Sequence, residues 1–444
     1  MICGRRGDRP YSGIEVIAKP AQLQKLLPKI EAADRVAVDT EADSLHCYRE
    51  KLCLLQISLK PIGLPARESS PRDESVRLAD FRSSDLSAVA ENASAARTDA
   101  KVNAPSAPDL TSRSASGSAF RPVGPTARRV ELTARRENAI RDYIVDPLAG
   151  LDLGPLCSAL AKKEIVLHGA DFDLRLLRRS LDLVPKQIFD TVIAARLLGI
   201  REFSLVALVE RYFGIRLTKG SQRANWGRRP LPVRMEEYAM NDTHYLLPLA
   251  DGLEAELDRL GRSDWFRQSC RRALEQSAVS RARDADEVWR IPGAGALDGR
   301  AGAVLRQLWR WREKEAEAAD RPPFHIFQNG ELLSAAQSFA AGQVPDYKHF
   351  SARRRRAFCE AAEEALSLPE TDWPVMRRRS GVRPSVEIVR RAQELKQRRD
   401  RAAKKHDLEP SFIGSQGALE SIAADESRAS TFLVSWQQQL LGIL

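Results

Sequence analysis

The sequence contains no pattern for a zinc knuckle or a disulfide framework. Cys3, Cys47, Cys53, Cys157, Cys270 and Cys359 are scattered without a CxxC spacing, and only 6 histidines accompany them. Thiolate zinc sites need closely spaced ligand pairs and secreted mini-domains need regular cysteines, so a reducing compartment is expected. Long apolar runs are missing too. The best, such as IVLHGA at 165–170, is of strand length and far below the roughly 20 residues a membrane helix requires. Residues 1–11 (MICGRRGDRPY) hold no apolar stretch of the kind a secretory signal needs. A cytoplasmic protein without membrane attachment is the expectation. Negative charge is in deficit: 60 Asp and Glu against 70 Lys and Arg leave a formal net charge of +10. That balance suits a polyanionic partner held through phosphate contacts, although an arginine-rich background would look the same.

What is present is enough for several domains, since 444 residues exceed what one ordinary core encloses. The first part alternates helix and strand signals. Helical spacing over 20–33 precedes a buried-strand pattern at 35–40, then a second apolar run at 51–59 (KLCLLQISL) and a third at 142–145. Between the last two, 61–140 is rich in Ala, Ser, Arg and Pro, with Phe81 and Phe120 as its sole aromatics. Such a stretch cannot bury enough apolar surface to offset its ordering entropy. It reads as a disordered insertion at the tip of a β-hairpin, far along the strand from Asp39. Helices are expected at 154–162, 172–180, 191–199, 204–213 and 235–260, with a strand at 164–168. Beyond about 280 the strand signal vanishes, and 301–318, 330–341, 352–366 and 386–405 all carry helical periodicity. Strands alternating with helices imply an α/β domain with a mixed sheet, here followed by all-α modules.

Three elements carry chemistry. In VDTEAD, Asp39 and Glu41 stand two apart at a strand end, so both carboxylates point to one face. Their repulsion would be relieved by a hard cation that favours oxygen ligands, though a solvated strand end would read alike. In HGADFDL, a strand passes into a helix. Asp171 fits the helix cap better, which leaves Asp173 free to face a ligand, while His168 alone is more often a packed strand-end histidine. In YAMND, Tyr238 and Asp242 are four apart and share one helix face.

In this order the three elements resemble the DEDD exonucleases in their tyrosine-bearing branch. The surrounding segments, VDTEADSLHCYREKLCLLQIS, YIVDPL, VLHGADFDLRLL, IFDTVIAARLLG, FSLVALVERYFG and SQRANWGRRPLP leading into YAMNDTHYLL, resemble ribonuclease D. The resemblance covers about 34–260 without the insertion. Farther on, WRIP at 289–292 and the segments around 305–311 and 320–336 resemble an HRDC domain, and HDLEPSFIGSQGALESIA at 406–423 a degenerate second one. The resemblance implies a ribonuclease H-like α/β exonuclease domain over 12–280, an HRDC domain over 285–372 and a second helical module over 380–444.

The resemblance also implies a site of two divalent ions, Mg²⁺ or Mn²⁺. Asp39 would bridge both, Glu41 and Asp242 would share one, and Asp173 would hold the other, with Tyr238 orienting the attacking water. His168, Lys219, Gln222, Trp226 and Arg229 are the implied nucleic-acid contacts. RNA with a free 3′ end, tRNA precursors among them, is the implied partner of a monomer that needs no protein partner. A DNA exonuclease and a non-catalytic RNA-binding scaffold are the alternatives. Two features depart from the family: Asn225 stands where it usually has aspartate, and the insertion is atypical. Arg353–Arg356 and Arg377–Arg379 could grip phosphates or simply face solvent, whereas Trp309 and Trp311 suit core or interface. If the tail folds around a core of its own, truncation after about 285 leaves the α/β domain folded.

Overall fold

The structure, a computed structural model, describes residues 14–60, 140–218, 220, 222–278, 287–376 and 384–443. The expected insertion (through residue 139), Lys219 and Arg377–Arg379 lie outside the described residues.

Six strands form one mixed sheet in the order β1-β4-β3-β2-β5-β6. They are β1 (Glu15–Ile17), β2 (Arg35–Ala42), β3 (Leu52–Leu59), β4 (Arg141–Val145), β5 (Glu164–Leu167) and β6 (Gln187–Asp190). β3 is antiparallel to both β2 and β4, and the remaining neighbours are parallel. Every residue of β3 is buried, as expected of a central strand covered on both faces. β1 and β6, at three and four residues, are too short for periodicity to reveal them. The register pairs Leu59 with Arg141 and Gln56 with Asp39. The end of the β3–β4 pairing, at Leu59 and Arg141, therefore lies only three residues along β3 from the position beside Asp39, about 10 Å at the usual strand rise. This corrects the expectation that the tip lies far away.

Around the sheet lie α1 (Pro20–Ala32), α2 (Gly154–Leu160), α3 (Asp171–Leu181), α4 (Thr191–Leu197), α5 (Leu205–Phe213), α6 (Val233–His244), α7 (Leu246–Arg259) and α8 (Ser263–Ala278). The expected single helix over 235–260 is two, broken at Tyr245, which ends α6 and begins α7. Pro248 explains the break: it has no N–H to offer the carbonyl of His244, and its ring crowds that carbonyl. α6 carries Tyr238 and Asp242, so the break separates the site helix from the packing helix behind it.

The helical part continues with α9 (Gly299–Ala318), α10 (Asn329–Ala340), α11 (Ala352–Leu366), α12 (Val386–His406), α13 (Gln416–Ala424) and α14 (Ser435–Leu441). α9, α10 and α11 enclose a separate aromatic core that includes Trp289, Trp311, Phe327, Phe350 and Phe358. Trp309 packs against that core. Arg353 and Arg354 reach Glu315, and Arg355 pairs with Asp346, so three of these arginines already have acidic partners within their own module.

The last module behaves differently. Leu395, Ile413, Leu419, Ile422, Trp436 and Leu441 belong to the same buried cluster as the sheet and its helices. Trp436 stacks on Trp265 of α8, ring centres 4.9 Å apart, and its Nε1 donates to Ser269 Oγ at 3.1 Å. Arg262 donates to the carbonyl of His406 at 2.7 Å. Gly199, at φ +77, lies so close that a Cβ there would be 2.4 Å from the carbonyl oxygen of Asp407. The expectation of a tail with an independent core is therefore corrected for residues 384–443: only the aromatic-rich module between has its own. No helix among the described residues is long and apolar enough to cross a membrane. Trp436→Ala should cost about 3–5 kcal/mol, the usual range for a buried tryptophan. Deleting 384–444 should lower the urea midpoint of the α/β domain, followed by far-ultraviolet circular dichroism. An unchanged midpoint would mean that the core is not shared.

Candidate active site

The site forms where β2, the β5–α3 turn and α6 meet. On β2, Asp39 and Glu41 project to one face, as their spacing predicts. α6 brings Asp242 to them, so that one carboxylate oxygen from each of Asp39, Glu41 and Asp242 lies within 4.8 Å of the others. Asp173 in the first turn of α3 joins through β2: its Oδ1 accepts from the backbone N–H of Thr40 at 3.1 Å and from the Thr40 hydroxyl. Gln56, opposite Asp39 in the ladder, extends its amide toward Asp39 Oδ2 at 3.5 Å. Tyr238 lies one turn before Asp242 on the same helix face and line the same cleft of about 740 Å³.

The turn that aims α3 depends on a residue sequence reasoning passed over. Gly169 sits at φ +77, a conformation costly for a residue with a Cβ. Asp190, at the end of β6, accepts from the N–H groups of Gly169 and Ala170 at 3.0 and 2.9 Å, and from Val192 at 2.8 Å. One carboxylate thus caps α4 and clamps the β5–α3 turn. Asp190 before Thr191 at a helix start is a capping signal that could have marked it. The expected cap, Asp171, is instead the first residue of α3, pairing with Arg175 at 2.7 Å, while Ala170 occupies the cap position. Thr40, which ties Asp173 to β2, carried no signal beyond its place between two acids.

The proposed nucleic-acid contacts separate. His168 and Gln222 line the cleft. Trp226 is 1% exposed, packs beside Tyr238 with ring centres 6.0 Å apart, and cannot stack on a base. Arg229 spends its guanidinium on a bidentate pair with Asp146, 2.7 Å on both sides, and on the carbonyls of Trp226 and Cys53. Both readings are corrected: Trp226 packs beside Tyr238, and Arg229 ties the carbonyl of Trp226 to Asp146. Asn225 keeps its loop closed through its Oδ1, which accepts from the N–H of Gly227 at 3.1 Å. Phe172 lines the cleft and is 45% exposed.

Electrostatics define what the cluster wants. No lysine or arginine lines the cleft among the described residues. Burial, then the neighbouring carboxylates, raise Asp39 well above the usual range and push Glu41 up to about 9. Asp242 is raised to about 7 by burial and by Asp173. Asp173 reaches only about 6, because the Thr40 hydrogen bonds oppose its burial. Burial and then Asp242 raise the Tyr238 phenol, so it stays protonated. Several oxygen donors, crowded and with no cationic side chain among the described lining residues, fit a divalent cation of the Mg²⁺ or Mn²⁺ kind.

Comparison with known proteins agrees with this geometry. The 3′-5′ exonuclease family matches residues 14–66 and 125–258, and the HRDC domain matches 301–341. The chain is 28% identical over 247 residues to ribonuclease D of Desulfotalea psychrophila, covering 54% of this chain and 66% of that one. It is 32% identical over 199 residues to ribonuclease D of Haemophilus influenzae, covering 44% and 50%. The crystal structure of Escherichia coli RNase D superposes with a TM-score of 0.60 at 18% identity, over 97% of this chain and 98% of that one. The sheet and its acidic cleft thus constitute a 3′-5′ exonuclease domain, and an HRDC domain follows it. In that domain order, in fold and in its relatives, the chain resembles ribonuclease D. Its matches span about half to two thirds of the length of these curated relatives.

The cluster has a measurable consequence. Unfolded carboxyls titrate near 4, whereas three of these hold their protons up to about 6, 7 and 9. The metal-free fold therefore binds more protons than the unfolded chain in that window. Its contribution to stability is complete below about pH 4 and is lost as pH rises through those values. Melting of the metal-free protein should show Tm falling from pH 5 to 9, with Mn²⁺ restoring more at the alkaline end. Asp39→Asn should stabilise the metal-free form by roughly 0.5–2 kcal/mol, as removal of a strained functional charge commonly does. A Tm that rises across this window would contradict the account.

Proposed function

We propose that this chain is a metal-dependent 3′→5′ exoribonuclease that releases nucleoside 5′-monophosphates one at a time. The convergence of Asp39, Glu41 and Asp242 within 4.8 Å carries this reading. In it, Asp39, Glu41 and Asp242 would hold one divalent ion, and Asp173 would help to hold a second. The chemistry such ions supply when bound is activation of a water and neutralisation of the departing 3′-oxygen. Asp173 is kept oriented by Thr40. Tyr238, protonated and one turn from Asp242, orients the water by hydrogen bonding and does not act as a base. Trp226 packs beside the phenol ring, and Arg229 fixes Trp226 through its carbonyl.

The positive net charge and the HRDC domain support RNA as substrate, as do the relatives: Escherichia coli RNase D is an exoribonuclease involved in structured RNA processing. Structured RNAs with a free 3′ end, tRNA precursors among them, are the substrates this reading assigns. It divides the chain into an exonuclease domain over 12–280, an HRDC domain over 285–372 and a second helical module over 380–444. The decisive experiment incubates the purified chain with end-labelled RNA and DNA, with and without Mg²⁺ or Mn²⁺. Mononucleotide release from RNA that stops with chelator is expected. Activity undiminished by excess chelator, or RNA bound without cleavage, would overturn it. Asp39→Asn should abolish release while RNA affinity persists. Tyr238→Phe should lose about 10²–10⁴-fold in turnover, the range for a positioned proton-handling or orienting group, with metal affinity retained.

A further inference from the structure

His168 lines the cleft and has no task in the reading above; its Nδ1 faces Thr191, which leaves Nε2 as the nitrogen open to a ligand. Its character follows from the other side of the ring. The Thr191 hydroxyl has a single proton, and its oxygen lies 3.1 Å from the carbonyl of Leu167 and 2.8 Å from His168 Nδ1. Both contacts are satisfied only when the hydroxyl donates to Leu167 and Nδ1–H donates to the hydroxyl. Burial also disfavours the charged ring, against a smaller pull from Asp190. A neutral imidazole protonated on Nδ1 leaves Nε2 as an acceptor, and His168 lines the cleft.

An acceptor there needs a donor from the ligand. A phosphate offers none, and the neighbouring carboxylates are acceptors that engage the phosphate end through cations. Phe172, Leu205, Val206 and Leu217 give the same cleft an apolar wall suited to the face of a base. Base edges differ in their donors, so the donor common to all four nucleotides is a sugar hydroxyl. We propose that His168 Nε2 accepts a hydrogen bond from a hydroxyl of the 3′-terminal ribose, making His168 a substrate-selecting residue. This rests on the exonuclease reading. If the donor is the 2′-hydroxyl, the contact distinguishes RNA from DNA at the nucleotide being removed.

Two measurements test it. The first needs no catalysis: long-range ¹H–¹⁵N correlation of the histidine rings in the metal-free protein, with the His168 signal assigned by its loss in His168→Gln. An Nδ1–H tautomer is expected near pH 7.5, and an Nε2–H tautomer or a charged ring overturns the proposal. The second compares single-turnover trimming of one short RNA ending in ribose, 2′-deoxyribose or 3′-deoxyribose. One deoxy end should be slower by about 2- to 10-fold, the scale of one neutral hydrogen bond, and in His168→Ala that ratio should fall to about one. Equal rates on all three ends in the wild type, or a ratio that survives His168→Ala in a variant that still binds Mn²⁺, overturn the proposal. If the wild type trims no RNA while the tautomer is as expected, the exonuclease reading fails and the proposal falls with it.

Discussion

Carboxylates that repel one another hold this site in tension, and the fold is arranged to keep them together. Two stand on a strand whose ladder partners are themselves buried, one on a helix fixed by a clamped turn, and one on a helix backed by packed aromatics. None can retreat to solvent without breaking ladder pairs or core packing. Repulsion that would spread flexible chains is stored as raised proton affinity, which a divalent cation bound there would discharge. This is the trade between stability and function seen where activity needs like charges in one place.

The supports for that tension are polar as well as apolar. Asp190 accepts from four backbone donors, those of Gly169, Ala170, Val192 and Ile193, and so fixes both the turn into α3 and the start of α4. Arg229 pairs with Asp146 bidentately, a geometry that lysine could not reproduce, and ties three carbonyls to the same guanidinium. The β2–β3 connection, which leaves the strand bearing Asp39 and Glu41, is fastened to the aromatic-rich module: Tyr48 donates its N–H to Asp320 at 3.2 Å, and Arg49 pairs with Glu317 at 2.7 Å. The exit of the strand that bears Asp39 and Glu41 is therefore anchored by a separate helical unit.

Much of this could be read from the amino-acid order, for physical reasons. Asp39 with Glu41 and Tyr238 with Asp242 obey local periods, two on a strand and about four on a helix, so their shared faces were visible. The separate helical module was visible through its helical periodicity and its resemblance to an HRDC domain. What escaped depends on partners far along the chain. Arg229 looks like a phosphate-gripping arginine until Asp146, 83 residues away, is seen to occupy it. Trp226 looks like a stacking platform until the strands behind it close over the indole. β1 and β6 have too few residues to show a period, and the break at Tyr245 hides in a continuous apolar pattern that Pro248 interrupts. The last module's attachment to the α/β core is a fact of packing between surfaces that no local window contains.

That attachment bears on how the chain is made. β2 meets its hairpin partner β3 at once, but the sheet also needs β4 and β5, which emerge some hundred residues later, and Asp242 follows later still. The core beneath them stays open on one side until Trp436 and Leu441 have been synthesised. For much of translation, then, Asp39 and Glu41 are held by an incomplete sheet whose apolar back faces water. Such intermediates attract other chains, so the stretch of synthesis before the packing partners of the sheet are complete is the one in which the nascent chain is most exposed to association.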